Sequence, residues 1–152
     1  MGGVGTSNNA THRWEVLENK TRICVAGFFI SNHTGRARRL AAMIARKYPK
    51  EYETWFYFDS PGCYYHFLQE TFDNVPFPQH LKGHDSSPFV WFETGKNVIE
   101  PIGGRSHFAE WAINRFKNDA EIVECASTDW SLGDICHNYC GAEEPSIVQI
   151  QG

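Results

Sequence analysis

The chain has 152 residues, of which 41% are apolar and 14% aromatic, enough for one sizeable core and too few for two ordinary domains. Its 18 acidic and 14 basic side chains leave a net charge of -4 with no massed basic surface to track a phosphate backbone, so no nucleic-acid partner is expected. No apolar run approaches the roughly 20 residues that span a bilayer, and the start lacks the basic-then-apolar pattern of a secretory signal, so the expectation is a cytoplasmic protein with no transmembrane segment.

Residues 1 to about 12 are mostly Gly, Ser, Asn and Thr and predict a mobile segment; with the fold expected to begin at Ile23, residues 1–22 read as a flexible N-terminal arm. Within it, Met1-Gly2-Gly3-Val4-Gly5-Thr6 fits the pattern for myristoylation of Gly2, against the plainer reading of a Gly-rich leader. One acyl chain holds a protein on a membrane only reversibly, so a second anchor or a protein partner would be needed.

Ile23 to Ile30 is a continuous apolar run, the pattern of a strand covered on both faces. After a polar turn, Ala37, Leu40, Ala41, Ile44, Ala45 and Tyr48 recur at helical spacing while Arg36, Arg38, Arg39 and Arg46 face elsewhere, and Pro49 marks the stop. Thr54 to Phe58 is aromatic and β-prone and is followed by the turn Asp59-Ser60-Pro61-Gly62, which predicts a second strand parallel to the first. Tyr64, Phe67, Leu68 and Phe72 line one side of a second helix over 63–72. A Pro- and Gly-punctuated loop over 73–88 leads to a hairpin, Phe89 to Phe92 and Val98 to Ile102, broken by Gly103-Gly104. Phe108, Trp111, Ala112, Ile113 and Phe116 then mark a third helix from about Ser106 to Lys117.

The predicted order is β-α-β-α-β-β-α, an α/β chain with a four-stranded mixed sheet flanked by helices. It occupies residues 23–117 and leaves 118–152 as a C-terminal extension, either a tail or a strapping segment.

This order is that of the thioredoxin-like fold, and three landmarks in register resemble the glutaredoxin family. The first strand exits into a helix through Ser31-Asn32-His33-Thr34, where glutaredoxins carry Cys-Pro-Tyr-Cys. Ser87-Pro88-Phe89-Val90 looks like the family's Val-Pro segment, whose proline is cis and borders the active site, and Gly95-Lys96 with Gly103-Gly104 looks like its Gly-Lys turn and Gly-Gly pair. Ser87 to Trp91 and the aromatic-rich helix after Gly103 are similar also to the glutaredoxin-like N-terminal domain of testis-enriched, malate-dehydrogenase-like proteins of ciliated organisms. No Gly-x-Gly-x-x-Gly follows a strand, so a dehydrogenase part is not expected.

Thiol-disulfide exchange needs a thiolate, which thioredoxin-fold enzymes place at a helix N-terminus, where the backbone dipole lowers its pKa. Under the resemblance that position is Ser31 and the resolving position is Thr34, hydroxyls without a two-electron couple. The expectation is a redox-inactive module with no catalytic residue, no cofactor and no metal, whose degenerate site comprises Ser31, Asn32, His33, Thr34, Ser87, Pro88, Gly103, Gly104, Arg105 and Ser106. Its function would be to bind a protein partner in a larger assembly, ciliary or flagellar by the closer resemblance. Trp14, Trp55, Tyr57, Tyr64, Tyr65 and Trp130 are expected to supply an aromatic surface for it.

The alternative is a glutathione- or small-anion-binding protein, or weak transferase, working at the pocket of Ser31 and Pro88. Arg105 and Ser106 speak for it; Phe28, where the family keeps a lysine for a glutathione carboxylate, speaks against it. The cysteines take plain readings: Cys24 in the core, Cys63 structural at a helix start, and Cys125, Cys136 and Cys140 incidental thiols rather than zinc ligands, since Cys-x-x-x-Cys has no second pair. An odd count without a secretory signal also argues against disulfides and gives the Asn-x-Ser/Thr matches at Asn9, Asn19 and Asn32 little weight. His33, with no nucleophile and orienting carboxylate to go with it, reads as a solvated turn residue.

Overall fold

The computed structural model describes residues 19–72, 86–95, 98–128 and 141–142. Strand β1 (Thr21–Phe28) is the middle of the sheet. It pairs in parallel with β2 (Tyr52–Asp59), from Thr21 opposite Tyr52 to Phe28 opposite Asp59. On its other side it pairs antiparallel with β3 (Phe89–Thr94), from Thr21 opposite Thr94 to Ala26 opposite Phe89. Strand β4 (Ile99–Gly103) closes a hairpin on β3, with a register irregularity between Val90 and Trp91. The two-residue β5 (Gly141–Ala142) lies antiparallel against Tyr57 and Phe58, giving the order β4-β3-β1-β2-β5.

The continuous apolar run follows from this position: a strand with neighbours on both edges and helices over both faces is dry all round. Ile23, Cys24, Val25 and Ala26 are all fully buried. Its limits differ from the sequence reading by two residues at each end. Phe29 leaves the ladder with its N–H still bonded to Asp59 O, and Ile30, expected inside the strand, is 64% exposed. At the other end Arg22 belongs to β1 and is buried, its charge held by two carboxylates: Nε lies 2.6 Å from Glu53 Oε2 and Nη1 3.6 Å from Glu93 Oε1. Glu93 also accepts from Trp91 Nε1 at 2.8 Å.

On one face of the sheet, α1 (Asn32–Lys47) packs with α3 (Arg105–Arg115) and α4 (Ala120–Ser127) over Ile23, Val25, Phe56, Phe58, Val90 and Phe92. Helix α1 buries Ala37, Leu40, Ala41, Ile44 and Ala45, the predicted stripe, and stops at Tyr48 because the residue before Pro49 is driven out of helical geometry. The opposite face, Cys24, Ala26, Trp55, Tyr57, Phe89 and Trp91, is covered by α2 (Pro61–Phe72) through Tyr64, Phe67 and Phe72.

Helix α4 was not legible in the sequence. It adds Ile122 and Ala126 to the core and is tied to the end of α1 at its N-cap, Asp119. That carboxylate accepts from Lys47 Nζ at 2.9 Å and Tyr48 Oη at 2.8 Å, contacts that hold its pKa down to about 2.

The expected aromatic surface is corrected here. Trp55, Tyr57 and Tyr64 are buried, stacked or edge-on with Phe67, Trp91 and Phe28, because residues of alternating strand positions and of one helix face meet on the same side of the sheet. Tyr65 is 38% exposed, while Trp14 and Trp130 lie outside the described residues, as does Gly2. Among the described residues no helix is long and apolar enough to cross a membrane.

Candidate functional site

The parallel pair β1–β2 directs both following helices away from the same end of the sheet, so α1 and α2 start where these strands finish. At the entrance of α1, Ser31 is the N-cap. Its backbone is extended, with φ -165° and ψ 128°, and its Oγ accepts the Thr34 N–H at 3.3 Å, satisfying a donor that the helix start would otherwise leave open.

Thr34 and Ser87 meet across the site. Their hydroxyl oxygens are 3.0 Å apart, and Ser87 Oγ also accepts the Phe28 N–H at 2.8 Å. The Ser87–Pro88 peptide bond is cis, and Tyr64 Oη donates to Ser86 O at 2.7 Å, so α2 grips the residue that leads into that bond. Burial raises the Tyr64 pKa, which keeps the phenol a donor at all working pH.

Gly27 makes this meeting sterically feasible. A Cβ there would lie 2.5 Å from Thr34 Oγ1 and 2.7 Å from Ser87 Oγ, so any larger residue would have to push the hydroxyl pair aside. The sequence reading missed this residue, although an isolated glycine inside an apolar strand is the usual sign of a close approach.

The Gly-Gly pair reaches the same neighbourhood through α3. Gly103 has φ +128°, a conformation that favours glycine, and a Cβ would meet His107 Nδ1 at 2.7 Å. Gly104 caps α3 without a side chain, which leaves Arg105 as its first residue. The Arg105 and Arg36 charges both act on His33, whose pKa is lowered by partial burial first, then by Arg105 and then by Arg36. Arg36 is a further residue that the sequence reading placed on an outer face and that the structure buries.

The structure therefore brings Ser31, Asn32, His33 and Thr34 together with Ser87 and Pro88, and sets Arg105 within electrostatic reach of His33. Ser106 is exposed on α3 and makes no hydrogen bond to the other site residues. Gly35 donates its N–H to Ser31 O at 3.0 Å, so the first turn of α1 is fully formed.

The chemistry open to these groups is narrow. The Ser87 and Thr34 hydroxyls are engaged with each other, and among the described residues the charges that act on His33 are two cations, Arg105 and Arg36. Of the described cysteines, Cys24 is buried in β1, Cys63 is exposed in the first turn of α2 and Cys125 is half-buried on α4. Cys136 and Cys140 lie outside the described residues. Among the described residues no three metal-ligating side chains converge. No family model, curated protein or solved structure matches the chain.

Proposed function

We propose that the chain is a redox-inactive domain of thioredoxin-like, glutaredoxin-type architecture that acts by binding a protein partner as part of a larger cytoplasmic assembly. The observation that carries this reading is the Ser31–Thr34–Ser87 cluster beside cis-Pro88, in which hydroxyls used for capping and loop attachment stand at the helix entrance. A serine there has neither the acidity nor the redox couple for disulfide exchange. The closer family resemblance directs the search for the assembly to cilia and flagella.

Exposed apolar groups flank the cluster on the β1 side: Ile30 at 64% and Tyr65 at 38%, with Phe28 edge-on to Tyr65 at 5.9 Å. They supply hydrophobic area beside backbone groups, the composition of a small interface centre.

Two measurements test the reading. Reduction of a glutathione mixed disulfide is expected at background level and unchanged by Ser31→Ala; turnover that disappears on a Cys→Ser substitution would sink it. Native protein from cell extract is expected to elute as part of a stable complex that Ile30→Asp disrupts, and elution as a free monomer counts against it. A gain-of-function arm addresses the architecture: Ser31→Cys with Thr34→Cys is expected to yield a thiol more acidic than an ordinary cysteine, about 8.5, because it would sit at the N-terminus of α1.

The second reading, a small anion or glutathione at the same place, draws on one observation, the joint action of Arg36 and Arg105 on His33. Calorimetric titration with glutathione, lost on Arg105→Glu, would favour it.

A further inference from the structure

Beyond its entrance, α1 carries a feature that the Ser31 cluster does not use. The chain is acidic overall, 18 acidic against 14 basic side chains, yet α1 holds Arg36, Arg38, Arg39, Arg46 and Lys47 and no Asp or Glu. Arg36 turns inward and Lys47 is engaged by Asp119 and Glu121. Arg39, Arg46 and, just past the helix, Lys50 are exposed, and Arg38 is half-buried beside them. From Arg38 to Arg46 the stripe runs about 12 Å along the helix axis. Between the arginines lie Ala42 and Met43, both half-buried.

Arg38 supplies a second and independent observation. Its Nε is shielded from solvent and makes no hydrogen bond, and neither Arg38 nor Arg46 has a carboxylate partner among the described residues. A shielded donor on a permanently charged group is costly when left unmet, and an acceptor arriving from outside would meet it. Arg38 and Arg46 stand on one helix face with cations of the same sign beside them, and a carboxylate-bearing occupant relieves the repulsion among them.

We infer that this outer face of α1 is a docking surface for an acidic, Asp/Glu-rich segment of a partner protein. Arginine dominates the stripe, and its planar fork matches a carboxylate bidentately. The stripe is short and α1 carries no aromatic side chain to stack a base, so a protein carboxylate is favoured over a nucleic-acid phosphate. The surface runs along the helix away from Ser31, and the inference stands whether or not the entrance cluster binds anything.

Fluorescence anisotropy of a labelled oligoglutamate peptide with the full chain tests it. The wild type is expected to bind at low salt and to lose affinity as salt screens the stripe. Arg38→Glu with Arg46→Glu is expected to weaken binding by about tenfold or more. The charge-matched pair Lys20→Glu with Lys117→Glu and the separate Ser31→Ala variant are each expected to stay within about twofold. Retained far-ultraviolet circular dichroism and melting temperature in both double variants separate loss of binding from loss of fold. The inference is overturned if the peptide does not bind, if both double variants weaken it equally, or if an oligothymidylate of equal charge binds as tightly as the peptide.

Discussion

Strand β1 ends in two differently built polar clusters. At its N-terminal end Arg22 is buried between Glu53 and Glu93, full charges inside a dry sheet. At its C-terminal end Phe28 N–H, Ser87, Thr34 and Ser31 are joined by neutral hydrogen bonds at the edge of solvent. The contrast teaches where single substitutions hurt. Breaking a buried ion cluster leaves uncompensated charge and typically costs about 3–5 kcal/mol, whereas a neutral hydrogen bond contributes about 0.5–1.5 kcal/mol net. The end that carries the proposed site is thus the energetically quieter one, and the opposite end carries the larger stability risk.

The largest expected effect breaks the charged end. Arg22→Ala leaves Glu53 and Glu93 without their shared cation and is expected to lower the unfolding free energy by about 3–5 kcal/mol, read from the denaturant midpoint. A loss below that of the Ser31 variant described below would erase the distinction between the two ends.

At the other end, Gly27→Ala drives a methyl group into the Thr34 and Ser87 hydroxyls and is expected to cost about 1–3 kcal/mol. The cost should shrink in a Thr34→Ala background, since Thr34 Oγ1 is the nearest obstacle, and strict additivity in the double-mutant cycle would refute that account.

Ser31→Ala removes the N-cap of α1 and is expected to cost about 1 kcal/mol, while Ser31→Asp, which caps equally well, should be close to neutral. Thermal melts of the two variants make the comparison, and a destabilised Asp variant would count against capping as the role of Ser31.

The smallest effect concerns His33. Its pKa lies below the unfolded value near 6.5, so the unfolded chain binds the proton more readily, and stability contributed by this residue is present above that pH and declines as pH falls toward the folded pKa. In an NMR titration His33 should titrate below 6.5, and Arg105→Ala should move it upward; no movement would separate Arg105 from the entrance of α1.

Particular residues show how far the sequence could be read. The principal elements were legible through local patterns: Ala37, Leu40, Ala41 and Ile44 recur on one face of α1, while β1 is an unbroken apolar run buried on both faces. Helix α4 was not, because Ile122 and Ala126 alone are its buried positions and eight residues give periodicity too little room. Its usable signal was local, an Asp119 cap with Glu121 in the first turn. The aromatic residues misled because composition counts rings without saying which face of a strand they occupy; Trp55, Tyr57 and Trp91 all fall on the α2 side.

Sequence alone determined the order of the seven elements up to α3, the acidic balance and the hydroxyl side chains at the entrance of α1, because periodicity and residue identity are local properties of the chain. The tertiary structure decided what those hydroxyls touch, which arginine turns inward and which stays in solvent, and that Arg22 spends its charge on two carboxylates from neighbouring strands. Such pairings join residues far apart in the chain, and they are fixed only when sheet register and helix packing choose one set of neighbours from the many that the same local patterns allow.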